Sequence, residues 1–128
     1  MPVVVVDTSA ILAIYFNDAL GPWATEQLAA ADRLLMSAVN LTECLIRLYD
    51  RHQAQADEYE RRLFTSSIEF VAPDVAQAAI AARARLSLPL NFGDCFAYAL
   101  AKAENAALLT LDRDFRAADV VLILPPGT

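Results

Sequence analysis

Residues 91–115, NFGDCFAYALAKAENAALLTLDRDF, combine a helical pattern, a strand pattern and three aspartates in one short segment. The part at 94–103 is apolar on nearly every side of a helix, which predicts a helix in the centre of the fold. The part at 107–111 is a short apolar run typical of a strand that is buried on both faces. The segment therefore predicts a buried sheet covered by helices.

The same alternation of short apolar strands and helices continues on the N-terminal side of this segment and beyond it. We predict strands at 3–6, 33–39, 68–71, 107–111 and 120–124, and helices at 10–16, 22–31, 40–52, 55–66, 75–86 and 94–103. Such alternation is typical of an α/β fold in which a parallel sheet is sandwiched between helices. With 128 residues, 57% of them hydrophobic, we expect one domain that spans residues 1–128.

Composition excludes several classes of function. The N-terminus lacks the basic start of a signal peptide and no apolar run is long enough to span a membrane, so we expect a soluble, cytoplasmic protein without membrane contact. The single histidine, His52, argues against zinc chemistry and against a histidine-dependent triad. A net charge of −6 argues against a general nucleic-acid binder, because such proteins neutralise phosphates with lysine and arginine.

Acidic residues follow the ends of the predicted strands. Asp7 follows the first strand, Glu43 lies in the first turn of the helix after the second, and Asp94 opens the central helix. Asp112 and Asp114 follow the strand at 107–111. Because functional groups of parallel sheets gather at the carboxyl ends of the strands, we expect these acids to lie at one edge.

Each acid also has a purely structural interpretation. Residues 40–43, NLTE, fit a capping box that ends at Glu43, and Asp94 and Asp7 fit helix N-caps. Asp112 fits an Asx-turn. Capping is a sufficient explanation for any one of these residues, but it does not explain why the preceding strands bring all of them to the same edge.

Several carboxylates in one cleft repel each other unless a cation offsets their charge. Mg²⁺ and Mn²⁺ prefer oxygen ligands and leave positions for phosphate oxygens, which predicts phosphodiester hydrolysis that needs no histidine. Hydroxyl groups near the acids would orient the carboxylates by hydrogen bonds; the candidates are Thr8, Ser9, Ser37 and Thr110. The alternative is that these hydroxyls cap helices or lie exposed at the surface. Whether one or two ions are bound stays open.

Three segments of the chain resemble a known family in order and spacing. VVVVDTSAILAIYF (3–16), MSAVNLTECL (36–45) and LNFGDCFAYALAKAENAALLTLDRDF (90–115) resemble the acidic motifs of PIN-domain ribonucleases, most closely the VapC toxins of toxin–antitoxin pairs. By this resemblance Asp7, Glu43 and Asp94 match the acids that hold Mg²⁺ or Mn²⁺. Asp112 matches the fourth acid, and Asp114 is a supporting candidate.

The resemblance implies a PIN-like three-layer sandwich with about five parallel strands, and the activity of an endoribonuclease toxin on a structured RNA such as tRNA or rRNA. It also implies a homodimer and a cognate VapB antitoxin whose C-terminal segment occupies the toxin's groove. Large apolar residues of the first three helices are suited to line such a groove: Tyr15, Phe16, Trp23, Leu41, Leu45, Leu48 and Tyr49. Of these, we expect Leu45 and Leu48 to belong to the core instead, and Tyr15 and Trp23 to lie at the surface.

Three alternatives stay open beside the ribonuclease interpretation. One is a catalytically silent PIN module that only binds partners, the second is a phosphoacceptor receiver domain, and the third is DNA in place of RNA as substrate. Basic residues that would contact an RNA backbone are Lys102, Arg113, Arg116, Arg47 and either Arg83 or Arg85.

Overall fold

A computed structural model describes residues 3–127, and in them five strands alternate with helices. The strands are β1 (Val3–Val6), β2 (Arg33–Ser37), β3 (Ile68–Val71), β4 (Ala107–Leu109) and β5 (Leu122–Ile123). The helices are α1 (Thr8–Tyr15), α2 (Gly21–Ala30), α3 (Ala38–Arg51), α4 (Ala56–Thr65), α5 (Val75–Ser87) and α6 (Phe92–Glu104), with a 3₁₀ helix at Arg113–Ala117. The predicted α/β fold is confirmed.

All the strand pairs are parallel, and the order across the sheet is β3-β2-β1-β4-β5. The chain runs outward from β1 through β2 to β3, then returns to place β4 on the other side of β1. The direction of winding therefore reverses between β1 and β4. In open parallel sheets a crevice forms at the carboxyl ends of the two strands that flank such a reversal.

Alternate residues of the central strands supply two hydrophobic cores, one on each face of the sheet. Val4 and Val6 pack with residues of α1 to α4, whereas Val5 packs with residues of α5 and α6. The alternation follows from the two-residue period of a strand, and it explains why β1 is apolar at every position. The result is a three-layer sandwich in which α6 is buried along most of its length, as its apolar sequence predicts.

Helices α1, α2, α3 and α6 begin earlier than predicted, and for α3 and α6 the correction changes the position of an acid. Strand β2 ends at Ser37 rather than 39, because the Ser37 hydroxyl accepts a hydrogen bond from Val39 N and caps α3. Glu43 therefore lies in the second turn of α3, not the first. Helix α6 has Asn91 as its N-cap, so Asp94 is its third residue and does not open it.

The apolar residues suggested for a partner groove lie deeper than expected in two cases. Leu48 is buried and Leu45 packs against the core, as predicted. Tyr15 and Trp23, expected at the surface, are half-buried against the same core. For Tyr15 the reason is α4, whose Tyr59 ring stacks on it with 4.6 Å between centroids.

None of the helices within residues 3–127 combines the length and the apolar character needed to cross a bilayer.

Candidate functional site

A cavity of about 400 Å³ opens at the carboxyl ends of β1 and β4, where the winding of the sheet reverses. Its walls include Asp7, Glu43, Asp94 and Asp112. The prediction that these four acids lie together at one edge of the sheet is confirmed. Asp114 does not line the cavity and is exposed to solvent.

Asp7 is almost completely buried, with 3% of its surface exposed. It occupies the N-cap position of α1, but its carboxylate makes no capping hydrogen bond. Instead Asp7 Oδ2 accepts hydrogen bonds from Ser9 Oγ at 2.7 Å and from Thr110 Oγ1 at 2.9 Å. Asp7 Oδ1 is buried and accepts no hydrogen bond from any group between residues 3 and 127. The capping interpretation of Asp7 is therefore wrong.

Glu43 reaches the cavity from α3 and is held by a hydroxyl from α1. Thr8 Oγ1 donates to Glu43 Oε1 at 2.7 Å and also lies 3.1 Å from the Asn40 carbonyl oxygen. The capping-box interpretation of residues 40–43 is wrong, because Ser37 caps the helix and the Asn40 side chain donates from Nδ2 to the Gly93 carbonyl at 2.9 Å.

A glycine on α6 makes room for the Glu43 carboxylate. A Cβ atom at Gly93 would lie 2.8 Å from Glu43 Cδ, well inside van der Waals contact. The Glu43 carboxylate can therefore occupy this position beside α6 only because residue 93 has no side chain.

Asp94 combines a structural role with its place in the cavity. Its Oδ2 accepts from Asn91 N at 3.2 Å while Asn91 Oδ1 accepts from Asp94 N at 2.8 Å, which completes a capping box. Asp94 therefore takes part in capping α6, as predicted, but from the third position of the helix, because Asn91 is the N-cap. Asp94 Oδ1 is not part of the capping box.

Asp112 forms the Asx-turn that its sequence context predicts. Its Oδ1 accepts from Asp114 N at 2.9 Å and opens the 3₁₀ helix, while its own N–H donates to Thr110 Oγ1 at 3.0 Å. Of the two aspartates proposed for the fourth position, Asp112 faces the cavity and Asp114 supplies only a backbone N–H to the turn.

Three of the four hydroxyl groups suggested as supports contact an acid. Thr8 binds Glu43, and Ser9 and Thr110 bind Asp7. Ser37 is the exception: its hydroxyl caps α3 and makes no hydrogen bond to these acids among the described residues. The expectation for Ser37 is wrong because the helix begins directly after it, so its oxygen is used by Val39 N.

The electrostatics of the cavity disfavour full ionisation. Burial raises the pKa of Asp7, hydrogen bonds from Ser9 and Thr110 oppose this effect, and the charge of Glu43 adds to it. Burial is also the main cause that raises the pKa of Asp94 to about 7, with further increases from the charges of Asp7, Asp112 and Glu43. A bound cation would favour the ionised form of each of these groups.

The donor chemistry of the cavity fits a hard divalent ion. Among residues 3–127, no three Asp, Glu, His or Cys side chains converge closely enough to enclose an ion on their own. Mg²⁺ commonly uses one or two carboxylates and keeps several waters, so it does not need such an enclosure. The carboxylates supply only oxygen, and the buried Asp7 Oδ1 has no hydrogen-bond donor within residues 3–127, so the residues present fit Mg²⁺ or Mn²⁺.

Two arginines of α3 also line the cavity, and only one of them was among the predicted basic contacts. Arg47 was predicted, whereas Arg51 was not. The Arg51 guanidinium lies over the Phe16 ring at 4.3 Å from its centroid. The signal that the sequence contained is the spacing from Glu43, because residues four and eight positions later share one face of a helix.

Comparison with known proteins gives a consistent result over most of the chain. The family model for the PIN domain matches residues 4–121. VapC ribonuclease Mb2004c of Mycobacterium bovis and ribonuclease VapC36 of Mycobacterium tuberculosis are each 35% identical to the chain over 127 residues, which covers 91% of this chain and 90% of the relative. Ribonuclease VapC of Mycolicibacterium smegmatis is 32% identical and covers 93% of this chain and 98% of its own.

Solved structures share the fold at lower identity. VapC20 of Mycobacterium tuberculosis, a sarcin-ricin loop cleaving toxin, has a TM-score of 0.82 at 19% identity and covers 95% of this chain and 99% of its own. DNA-bound VapBC from Salmonella typhimurium has a TM-score of 0.76 at 17% identity, with coverages of 97% and 98%. FitAcB from Neisseria gonorrhoeae has a TM-score of 0.75 at 20% identity, with coverages of 98% and 99%.

Proposed function

This chain belongs to the PIN-domain family, with VapC ribonucleases among its relatives, and from that premise we propose that it is a metal-dependent endoribonuclease. We further propose that it acts as the toxin of a VapBC-type toxin–antitoxin pair. The observation that carries the proposal is the presence of four acidic residues in the walls of one cavity, including Asp7, whose buried Oδ1 has no donor among the described residues.

The proposed ion is Mg²⁺ or Mn²⁺, held in the cavity by Asp7, Glu43, Asp94 and Asp112, of which one or two would bind it directly and the others through its waters. When bound, such an ion lowers the pKa of water and neutralises negative charge on a phosphodiester. Asp114 is left outside this set, because it is exposed and does not line the cavity.

The polar neighbours of the acids have a positioning role in this proposal. Ser9 and Thr110 hold the Asp7 carboxylate by one oxygen, which keeps the other oxygen directed away from them. Thr8 holds Glu43 in the same way. Because hydroxyl groups from the start of α1 and from the end of β4 fix these side chains, little reorganisation is needed when substrate binds, which is the source of most electrostatic catalysis.

The proposed substrate is a structured RNA such as tRNA or rRNA, cut at an unstacked segment. Support comes from the names of the relatives, which are ribonucleases, and from the net charge of −6, which disfavours indiscriminate binding to any strand. Cleavage of DNA is an outcome that the assay below would detect.

The proposed partners are a VapB-type antitoxin and a second copy of the chain. Several structures that share the fold are toxin–antitoxin assemblies, among them VapBC2 from Rickettsia felis bound to a promoter DNA fragment. An antitoxin segment that fills the acidic cavity would prevent RNA from reaching it. Co-expression with the neighbouring gene product, followed by co-purification, tests this part of the proposal.

The alternative of a receiver domain is not supported by the topology. Receiver domains have the strand order 2-1-3-4-5, whereas the order here is β3-β2-β1-β4-β5. The catalytically silent module remains as the rival that an experiment must separate from the nuclease.

The deciding experiment compares Asp94→Asn with Asp114→Asn, two changes that each remove one negative charge. Mn²⁺ and Mg²⁺ binding is measured by calorimetry, folding by circular dichroism, and cleavage on total tRNA, rRNA and single-stranded DNA. We expect Asp94→Asn to fold and to lose both metal binding and cleavage, because asparagine keeps a carbonyl for the capping box but not the charge. We expect Asp114→Asn to retain both.

Other outcomes have equally definite meanings. Metal binding without cleavage of any nucleic acid would identify a silent module, and a folded Asp94→Asn protein that still cleaves would contradict the assignment of the site. Cleavage of DNA alone would mean that the substrate is DNA instead of RNA, while the proposed metal-dependent phosphodiester hydrolysis would still hold.

A further inference from the structure

We propose that Arg47 and Arg51 form a phosphate-binding track that holds the RNA backbone beside the scissile position. The inference rests on the proposed function, since it assigns the residues that position the substrate of the same site. Both arginines line the acidic cavity together with Glu43.

The three residues form one row on α3. Arg47 and Arg51 follow Glu43 at intervals of four residues, so their side chains leave the same face of the helix. With a rise of about 1.5 Å per residue, they begin roughly 6 Å and 12 Å beyond Glu43 along the helix axis. The row therefore leads from the carboxylates out toward solvent, as a strand entering the cavity would.

Charge pairing separates these two arginines from several other basic residues. The described residues hold four ion pairs, and these involve Arg33, Arg61, Arg62 and Lys102. Lys102 is thereby bound to Asp119 at 2.9 Å, away from the cavity, although it was predicted to contact RNA. Arg47 and Arg51 take part in no ion pair within residues 3–127, not even Arg47 with Glu43 one turn earlier.

The environment of Arg51 favours phosphate as the ligand. One face of its guanidinium is covered by the Phe16 ring, which leaves the N–H groups at the edge of the plane as donors. Asp18 also lines the cavity, but within residues 3–127 it forms no ion pair with Arg51, and its Oδ1 accepts from Leu20 N at 2.9 Å. Guanidinium donors bind phosphate oxygens with matched, charge-assisted geometry.

An unpaired basic track also resolves a difficulty of the acidic cavity. A protein with a net charge of −6 repels RNA at long range, and metal ions offset that charge only at the carboxylates. Two arginines beyond the metal position would attract the phosphates that flank the scissile one. Binding would then follow the backbone and not the base sequence at these positions.

The test uses the double variant Arg47→Gln/Arg51→Gln and a matched control, Arg83→Gln/Arg85→Gln. The control removes the same charge from two exposed residues of α5 that do not line the cavity, although one of them was predicted to contact RNA. All proteins carry Asp94→Asn, so that RNA is bound but not cut. Fluorescence anisotropy measures the affinity for labelled single-stranded oligouridine as a function of KCl concentration. Thermal unfolding of each variant establishes that it is folded.

We expect the Arg47/Arg51 variant to bind at least about tenfold more weakly at low salt. We also expect its slope of log affinity against log salt to fall by about 1.4, since each lost phosphate contact on a single strand contributes about 0.7. The Arg83/Arg85 control keeps the parental slope. Arg47→Lys/Arg51→Lys recovers most of the salt dependence, because lysine retains the charge.

Two results would overturn the proposal. An equal loss of RNA affinity in the two glutamine variants would show that only net charge matters. Unchanged RNA affinity in both variants would show that Arg47 and Arg51 do not bind RNA, and an acidic segment of a protein partner would then be their ligand. Neither result depends on catalysis. If the parent protein with Asp94 intact cleaves no RNA, the proposed function fails, while the anisotropy data still decide whether the track binds phosphates.

A second readout applies to the enzyme with Asp94 intact. Contacts to phosphates away from the reacting group are equally strong before and during the reaction, so their loss raises KM and leaves kcat nearly unchanged. A fall in kcat alone would mean that the arginines act on the reacting phosphate and would contradict the flanking position.

Discussion

Each acidic side chain of the cavity uses one carboxylate oxygen for structure. Asp7 Oδ2 binds two hydroxyls, Glu43 Oε1 binds Thr8, Asp94 Oδ2 joins a capping box and Asp112 Oδ1 makes an Asx-turn. The structural and functional interpretations of these residues are therefore compatible, because a carboxylate has two oxygens. One oxygen fixes the side chain, and in the proposed site the other would bind the metal ion or its waters.

Asp112 allows the two roles to be separated. Asp112→Asn keeps an Oδ1 that accepts from Asp114 N but removes the charge, so we expect cleavage to fall on the order of 10²-fold with nearly unchanged stability. Asp112→Ala removes both and should also cost about 1 kcal/mol of unfolding free energy. The measurements are kcat/KM and urea unfolding; normal cleavage by the asparagine variant would remove Asp112 from the site.

At the scale of elements, the site depends on how closely α3 and α6 pack. The Asn40 side chain on α3 is fully buried and donates to the Gly93 carbonyl on α6. Gly93 in turn leaves the space that the Glu43 carboxylate occupies. One helix contact thus positions an acid from α3 beside Asp94 of α6.

Gly93→Ala tests this contact. The new Cβ would displace the flexible end of Glu43 and not the backbone, and alanine is a better helix former than glycine by about 1 kcal/mol. We expect stability to stay within about 1 kcal/mol of wild type while metal affinity and cleavage fall at least tenfold. A variant with wild-type calorimetry and kinetics would show that Glu43 has no fixed position in the site.

At the scale of the whole molecule, the acidic cavity makes the stability of the metal-free protein depend on pH. Asp94 has a pKa of about 7 in the folded protein against 3.8 as the ordinary value, and the pKa of Asp7 is raised as well. Between these values the folded protein binds more protons than the unfolded chain. Its unfolding free energy therefore falls as pH rises from about 4 to about 7.

We expect the metal-free protein in EDTA to lose roughly 2–4 kcal/mol of unfolding free energy between about pH 4.5 and pH 8. Asp94→Asn should reduce this loss and be the more stable protein at pH 8. Denaturant titrations at the two pH values measure the effect. Identical pH dependence in the two proteins would show that Asp94 titrates normally.

Prediction of the fold succeeded where it rested on local pattern. The five strands appear near their predicted positions because each is a short apolar run, and α6 is central because its sequence is apolar on nearly every side. The helix starts at Ala38 and Phe92 were missed, because Ser37 and Asn91 cap helices through hydrogen bonds that several neighbouring polar residues were equally able to make.

The sequence by itself determined a parallel α/β fold and a set of acids at strand ends, because hydrophobic period and strand termini are local properties. Only the tertiary structure decided which groups meet. Thr110 donates a hydrogen bond to Asp7, 103 positions away in the sequence. Arg51 lines the same cavity with its guanidinium group over the Phe16 ring. The choice of Asp112 over Asp114 also depends on the turn after β4. Such choices follow from distances between residues that are remote along the chain, and periodicity does not contain them.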